Sequence, residues 1–111
     1  PHKKFKRTGG DIFSEETIHL LEAVLGSTIK VDTIHGKVDL KVPSGTQSAT
    51  TLTLKGKGSP SVKSEKFVDH FVTIKVKVPE KLGRKEKELY EELAKESGVQ
   101  IKNEGFFGGL F

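Results

Sequence analysis

Strict alternation of apolar and polar residues marks the middle of the chain. Residues 29–31 and 38–42 carry apolar side chains at every second position, with Lys or Asp between them. A period of two is typical of strands that bury one face and expose the other. The connection 34–37 contains Gly36, which suits a tight turn. The pattern therefore predicts a β-hairpin with one apolar face and one charged face.

Further strands are predicted on both sides of this hairpin. Residues 11–18 and 51–55 fit short strands, and residues 1–7 are basic and predicted to be irregular. The clearest alternation runs over residues 70–78 and ends at Pro79, which cannot donate a ladder hydrogen bond. Between the last two strands, residues 56–66 are rich in Gly, Ser, Lys and Pro and are predicted to form a loop.

Two stretches follow helical spacing instead. Residues 20–25 predict a short helix that Gly26 ends, and residues 84–97 predict a longer helix rich in Glu, Lys, Leu and Ala. The apolar stripe of the longer helix is narrow and needs a partner surface, either in its own domain or in another protomer. The stripe consists of Leu89, Tyr90, Leu93 and Ala94.

Length and composition limit the class of protein. The chain has 111 residues, about one domain, and its first residue is Pro1, from which we expect a fragment of a longer protein. It has no Cys, which excludes disulfides, a thiol nucleophile and cysteine-based zinc sites. No apolar run approaches the roughly 20 residues that a membrane span needs, so we expect no membrane partner.

The residues that could carry chemistry do not converge. The four histidines lie on different predicted elements, without metal-ligand spacing, so we expect no enzyme, no metal and no cofactor. His70 opens an apolar strand face and is predicted to be a packing residue. The net charge of +4 leaves a basic nucleic-acid-binding domain as an alternative function. The pattern argues against it, because Phe71 is the lone aromatic residue predicted on the outward, Lys-bearing face.

Several short motifs stand in unbroken order over residues 5–97. They are F-K-R at 5–7, G-D-I at 10–12, A-V-L-G at 23–26, V-P-S-G-T-Q at 42–47 and L-K-G-K-G at 54–58. Together they resemble the second C-terminal domain of DnaJ-type co-chaperones. The chain departs from that pattern at Ala49 and Val68, where the family often has Gly. It also departs at His70, where the family usually has Leu, a variation associated with mitochondrial-type members.

The resemblance implies a fold and a division of the chain. The fold is mainly β, a two-layer β-sandwich-like domain with one short helix, followed by a C-terminal dimerisation helix. The implied parts are a β-rich C-terminal domain II at 1–82, the dimerisation helix at 83–98 and a Gly/Phe-rich tail at 99–111. From its residues alone, the tail either docks on a partner or forms a disordered end.

The resemblance also implies a function. It predicts a homodimer that holds unfolded client polypeptides and, within the full-length protein, delivers them to a 70-kDa heat-shock (DnaK-type) chaperone, in the cytoplasm or the mitochondrial matrix. Dimerisation is assigned to Leu89, Tyr90, Leu93, Phe106 and Phe107. Weak client binding is assigned to the apolar face of the hairpin, whose residues otherwise belong to the ordinary core. These residues are Ile29, Val31, Val38 and Leu40.

Overall fold

Six strands and two helices make up the regular structure in the computed structural model, which describes residues 5–55, 57 and 69–102. The chain divides into two compact units, one up to Pro79 and one from Glu80 onward. The strands are β1 (Lys6–Thr8), β2 (Asp11–His19), β3 (Ser27–Thr33), β4 (Gly36–Val42), β5 (Thr50–Leu54) and β6 (His70–Lys77), and the helices are α1 (Leu20–Leu25) and α2 (Arg84–Glu96).

The strands form two sheets. One has four strands in the order β1-β2-β6-β5, and the other is the β3–β4 hairpin. β2 and β6 pair in parallel, whereas β1 with β2, β5 with β6 and β3 with β4 pair antiparallel. The mainly β, sandwich-like fold predicted from the sequence is confirmed.

A single apolar core joins the two sheets and α1. Its fully shielded members come from β6, β3 and β4, with Ala23 contributed by α1. The alternation of the sequence explains this arrangement, because every second residue of each strand faces inward. The core cluster consists of Ile18, Ala23, Val31, Leu40, Val42, Leu54, Val72 and Ile74.

The short helix α1 is fixed at both ends. The His19 ring accepts a hydrogen bond from the backbone N–H of Leu21 at 2.9 Å, and the Glu22 carboxylate accepts one from the backbone N–H of His19 at 2.9 Å. Gly26 then ends the helix with φ of +87°, and a Cβ there would lie 3.0 Å from the backbone nitrogen of Ser44. The predicted stop at this glycine is confirmed, and its cause is both conformation and space.

The N-terminal segment differs from the prediction. Lys6–Thr8 is a strand, not irregular chain, because a turn at Gly9, with φ of +64°, folds it back along the start of β2. Three residues are too few for alternation to show in the sequence. The predicted loop at 56–66 lies outside the described residues except for Lys57.

Candidate functional site

The helix α2 has an apolar stripe and no buried residue. Leu89 and Leu93 are 50% and 52% exposed, and Tyr90 beside them is only partly buried. The helix begins after Gly83, whose backbone N–H donates to the Glu86 carboxylate at 2.8 Å. The structure therefore places all three predicted helix residues on one open surface. Phe106 and Phe107, predicted to join them, lie outside the described residues.

The C-terminal end of α2 turns sharply and fixes the chain that follows. Gly98 adopts φ of +73° and donates to the carbonyl of Lys95 at 3.1 Å, while Val99 donates to the carbonyl of Ala94 at 2.9 Å. This pair of bonds is the Schellman arrangement, which satisfies the last carbonyls of a helix. It leaves Val99 and Ile101 largely exposed after the turn and so adds apolar surface to this unit.

The apolar face of the β3–β4 hairpin points into the protein. Val31 is fully buried and Leu40 is 6% exposed, and both belong to the core. Ile29 and Val38 are partly buried and pack against that core. In the cross-strand register Ile29 faces Leu40 and Val31 faces Val38. Of the four residues predicted to bind client polypeptide, only Ile29 and Val38 therefore keep accessible surface.

The opposite face of the hairpin is polar and held by two cross-strand ion pairs. Lys30 lies 2.6 Å from Asp39, and Lys37 lies 2.6 Å from Asp32. The hydrogen bond and the charge of Asp32 raise the pKa of Lys37 above its ordinary value. Three of the four side chains are more than half exposed and Asp32 is 36% exposed, so these surface pairs contribute little to the stability of the fold.

A buried polar pair links β2 to β6. His70 is fully buried, and its Nε2 lies 2.7 Å from the Ser14 hydroxyl, while its Nδ1 has no hydrogen-bond partner among the described residues. The ring of Phe5 packs against it edge-on, with ring centroids 5.4 Å apart. Burial lowers the pKa of His70. The sequence predicted a packing residue at this position but gave no sign of Ser14 as its partner.

The outward face of the four-stranded sheet holds an aromatic pair that the sequence did not predict. Phe13 on β2 and Phe71 on β6 are register partners, and their rings stack with centroids 5.2 Å apart and planes 20° apart. Each ring covers only one face of the other, and Phe13 remains 38% exposed. Single-strand binders stack successive bases on several aromatic side chains along a basic groove, and the one stacked pair on the described part of this face gives the nucleic-acid alternative little support.

The described residues contain neither a metal-binding cluster nor a helix that could span a membrane. Among residues 5–55, 57 and 69–102, no three His, Asp or Glu side chains are grouped so that they could hold a metal ion. No described helix is both long enough and apolar enough to cross a bilayer.

The two sheets and the capped short helix α1 form a β-sandwich-like domain, and a second helix with an open apolar stripe follows it along the chain. The profile of the DnaJ C terminal domain matches residues 1–79. The chain belongs to that family.

Curated relatives extend the similarity to almost the whole chain. The chain is 43% identical over 108 residues to the chaperone protein DnaJ of Pediococcus pentosaceus, a match that covers 97% of this chain and 29% of that protein. It is 44% identical over 109 residues to that of Listeria welshimeri, with 96% and 29% covered, and 41% identical to that of a Geobacillus species, with 100% and 29% covered. The chain thus spans less than a third of the length of these relatives. They are bacterial and give the mitochondrial option no support.

Proposed function

We propose that this chain is the homodimerising end of a DnaJ-type co-chaperone, and that α2 carries the contact. The observation that supports this is the open stripe of Leu89, Tyr90 and Leu93 on a helix with no buried residue. Apolar side chains at this spacing on a charged helix are typical of a surface that packs on another helix. A second copy of the same stripe supplies a self-complementary partner.

The contribution of the stripe's leucines to the free energy of dimerisation can be worked out from their exposed fractions. Full burial of a leucine side chain is worth about 1.5–3 kcal/mol, so burying the exposed half of one is worth about 1 kcal/mol. Two leucines on each of two protomers then contribute about 4 kcal/mol, or roughly a thousandfold in Kd. That is enough to decide between monomer and dimer at micromolar concentration.

The test is the solution mass of the whole chain over a concentration series, by sedimentation or light scattering. The wild type is expected to approach twice the chain mass, whereas the variant Leu89→Ser/Leu93→Ser stays monomeric. Its matched control is Glu88→Ser/Lys95→Ser, which changes two exposed positions on the other side of α2, keeps the net charge and introduces the same residue. A wild-type monomer at all concentrations, or a double-leucine variant that still dimerises, contradicts the proposal.

Weak binding of unfolded client polypeptide is the second proposed activity. It is supported by the hairpin, where each strand has one neighbour among the described strands and where Ile29 and Val38 keep accessible surface. An extended peptide could pair with an edge of the hairpin through its backbone and place one side chain against either residue. Val31 and Leu40 contribute by holding the hairpin on the core. A peptide titration that moves no amide resonance over residues 29–42 contradicts this site.

The wider role is proposed from the relatives' printed description as chaperone proteins. Within a longer protein, the dimer would present two weak client sites together, and the linked pair would bind more tightly than either site alone. We propose delivery of these clients to a 70-kDa heat-shock chaperone in the cytoplasm, without enzymatic activity in this chain. The test compares how strongly the full-length protein and its Leu89→Ser/Leu93→Ser variant suppress aggregation of a denatured client. The role predicts stronger suppression by the dimeric wild type.

A further inference from the structure

The edges of the four-stranded sheet differ in charge. β1, at one edge, carries Lys6 within its three residues, and the part of β2 beyond β1 carries Glu15 and Glu16. Among the strands that the structure describes, β5 lies at the opposite edge of this sheet. Its sequence is TTLTL, and it is the one described strand without a charged residue. Charged side chains and prolines are how edge strands avoid pairing with other chains, so β5 lacks the usual protection.

The side chains of β5 fit an edge that can accept another strand. Leu54 is buried in the core, and Leu52 is partly buried and packs against it from the outer side. Thr51 and Thr53 point outward and are exposed, with the Thr51 hydroxyl 3.3 Å from that of Thr73 on β6. An added strand would place an apolar side chain beside Leu52 and uncharged ones beside the threonines.

Positive charge lies at one end of this edge. Lys55 follows β5 directly, and the chain then turns, with the backbone N–H of Lys57 donating to the carbonyl of Leu54 at 3.4 Å. The two lysines thus stand at the exit of an uncharged, five-residue edge. A segment that matches it has uncharged, alternately apolar residues and an acidic residue at the end beside these lysines.

We propose that the outer edge of β5, which pairs with no other described strand, is a polypeptide-binding site that accepts an extended, uncharged segment with an acidic end as a fifth strand. The inference rests on the proposed role in binding unfolded polypeptide and places a site on the opposite sheet from the hairpin. Backbone pairing supplies the affinity, and the alternation and the terminal charge supply the selectivity.

The test uses capped peptides and the whole chain. VTVTVDE carries the matching pattern, VTVTVKK reverses its charged end, and VTPTVDE breaks the strand with proline. Hydrogen exchange of the β5 amides is expected to slow with the first peptide alone, because backbone pairing protects alternate amides of the edge. The reversed peptide is expected to bind about tenfold more weakly, and the proline peptide not to bind.

Two variants test whether peptide binding depends on the edge strand β5 itself or on any residue near it. Thr51→Lys adds an edge charge, and Thr73→Lys adds the same charge directly across on β6, which is paired on both sides at that point. Both variants lose the same threonine contact, so their stabilities serve as a common check of folding. Thr51→Lys is expected to weaken binding of VTVTVDE about tenfold, and Thr73→Lys to leave it within about twofold.

Several outcomes overturn the inference. Equal loss in the two variants attributes the effect to charge in general, and protection confined to β3 and β4 places the peptide on the hairpin. Protection of β5 that grows with protein concentration, without peptide, makes a second copy the occupant. If no peptide protects β5 while denatured protein still binds the chain, the inference fails and the proposed client binding stands. If neither binds, both fail.

Discussion

The buried contact between Ser14 and His70 allows a quantitative test of how this core tolerates polar groups. The two residues lie on parallel strands, 56 positions apart in sequence, and share a hydrogen bond of 2.7 Å. The other ring nitrogen, Nδ1, has no hydrogen-bond partner in the part of the chain that the structure describes, although His70 is fully buried. The perturbation is a double-mutant cycle of Ser14→Ala, His70→Leu and the two together.

The expected changes in the free energy of unfolding follow from counting, in each variant, the buried polar atoms that lack a hydrogen-bond partner. Ser14→Ala leaves both ring nitrogens of His70 buried without a partner and should cost about 1–3 kcal/mol of the free energy of unfolding. His70→Leu leaves the Ser14 hydroxyl without a partner but removes the unsatisfied Nδ1, so the two effects nearly cancel. The double variant leaves no polar side chain at this contact and should be at least as stable as the wild type. The coupling free energy is therefore expected to be about 1–3 kcal/mol.

The same residue predicts a dependence on pH with a definite sign. Burial lowers the pKa of His70 in the folded state below that of the unfolded chain. Above the unfolded pKa of about 6.5 both states are neutral, so His70 adds no pH dependence there. As the pH falls below that value the unfolded state takes up the proton first, and stability falls until the folded-state pKa is reached. The limiting slope is about 1.4 kcal/mol per pH unit.

Urea unfolding followed by far-ultraviolet circular dichroism measures both effects, because the chain has no Trp and its one Tyr lies on α2 and not on the strands that carry the mutated residues. The wild type and Ser14→Ala should lose stability as the pH falls below about 6.5, relative to the two variants that carry His70→Leu. The reasoning is refuted if His70→Leu keeps the pH dependence of the wild type. It is also refuted if the two single changes add without coupling.

Two further predictions concern backbone conformation. Ala49 adopts φ of +72°, a region that costs a residue with a Cβ about 1–2 kcal/mol, so Ala49→Gly should raise the free energy of unfolding by about 1 kcal/mol; Ala23→Gly, inside α1, is the control and should lower it. Gly26→Ala combines a φ of +87° with a Cβ only 3.0 Å from backbone, and should cost about 2 kcal/mol or more. Thermal and urea unfolding check both, and a neutral Gly26→Ala variant would contradict the packing described around α1.

Local periodicity predicted much of this fold. The alternation over the hairpin and over β6 identified the strands and their inward residues, and the spacing around Leu89 identified the stripe of α2. The bounds differ by a residue or so, as at β5, which begins at Thr50 and ends at Leu54. β1 escaped prediction because its three residues become a strand only through pairing with β2. Such pairing is a property of the partner strand as much as of the segment itself.

The candidate sites were harder to predict, because an inward-facing residue is a core residue or a pocket residue depending on what packs across from it. Alternation places Ile29 and Val31 on the same face of β3, yet one keeps accessible surface and the other has none. Likewise, the absence of charge in TTLTL can be read from the sequence, but it has no consequence for a strand paired on both sides. It matters only because the parallel pairing of β2 with β6 leaves β5 outermost among the described strands. That pairing joins residues more than fifty positions apart, and no local pattern encodes it.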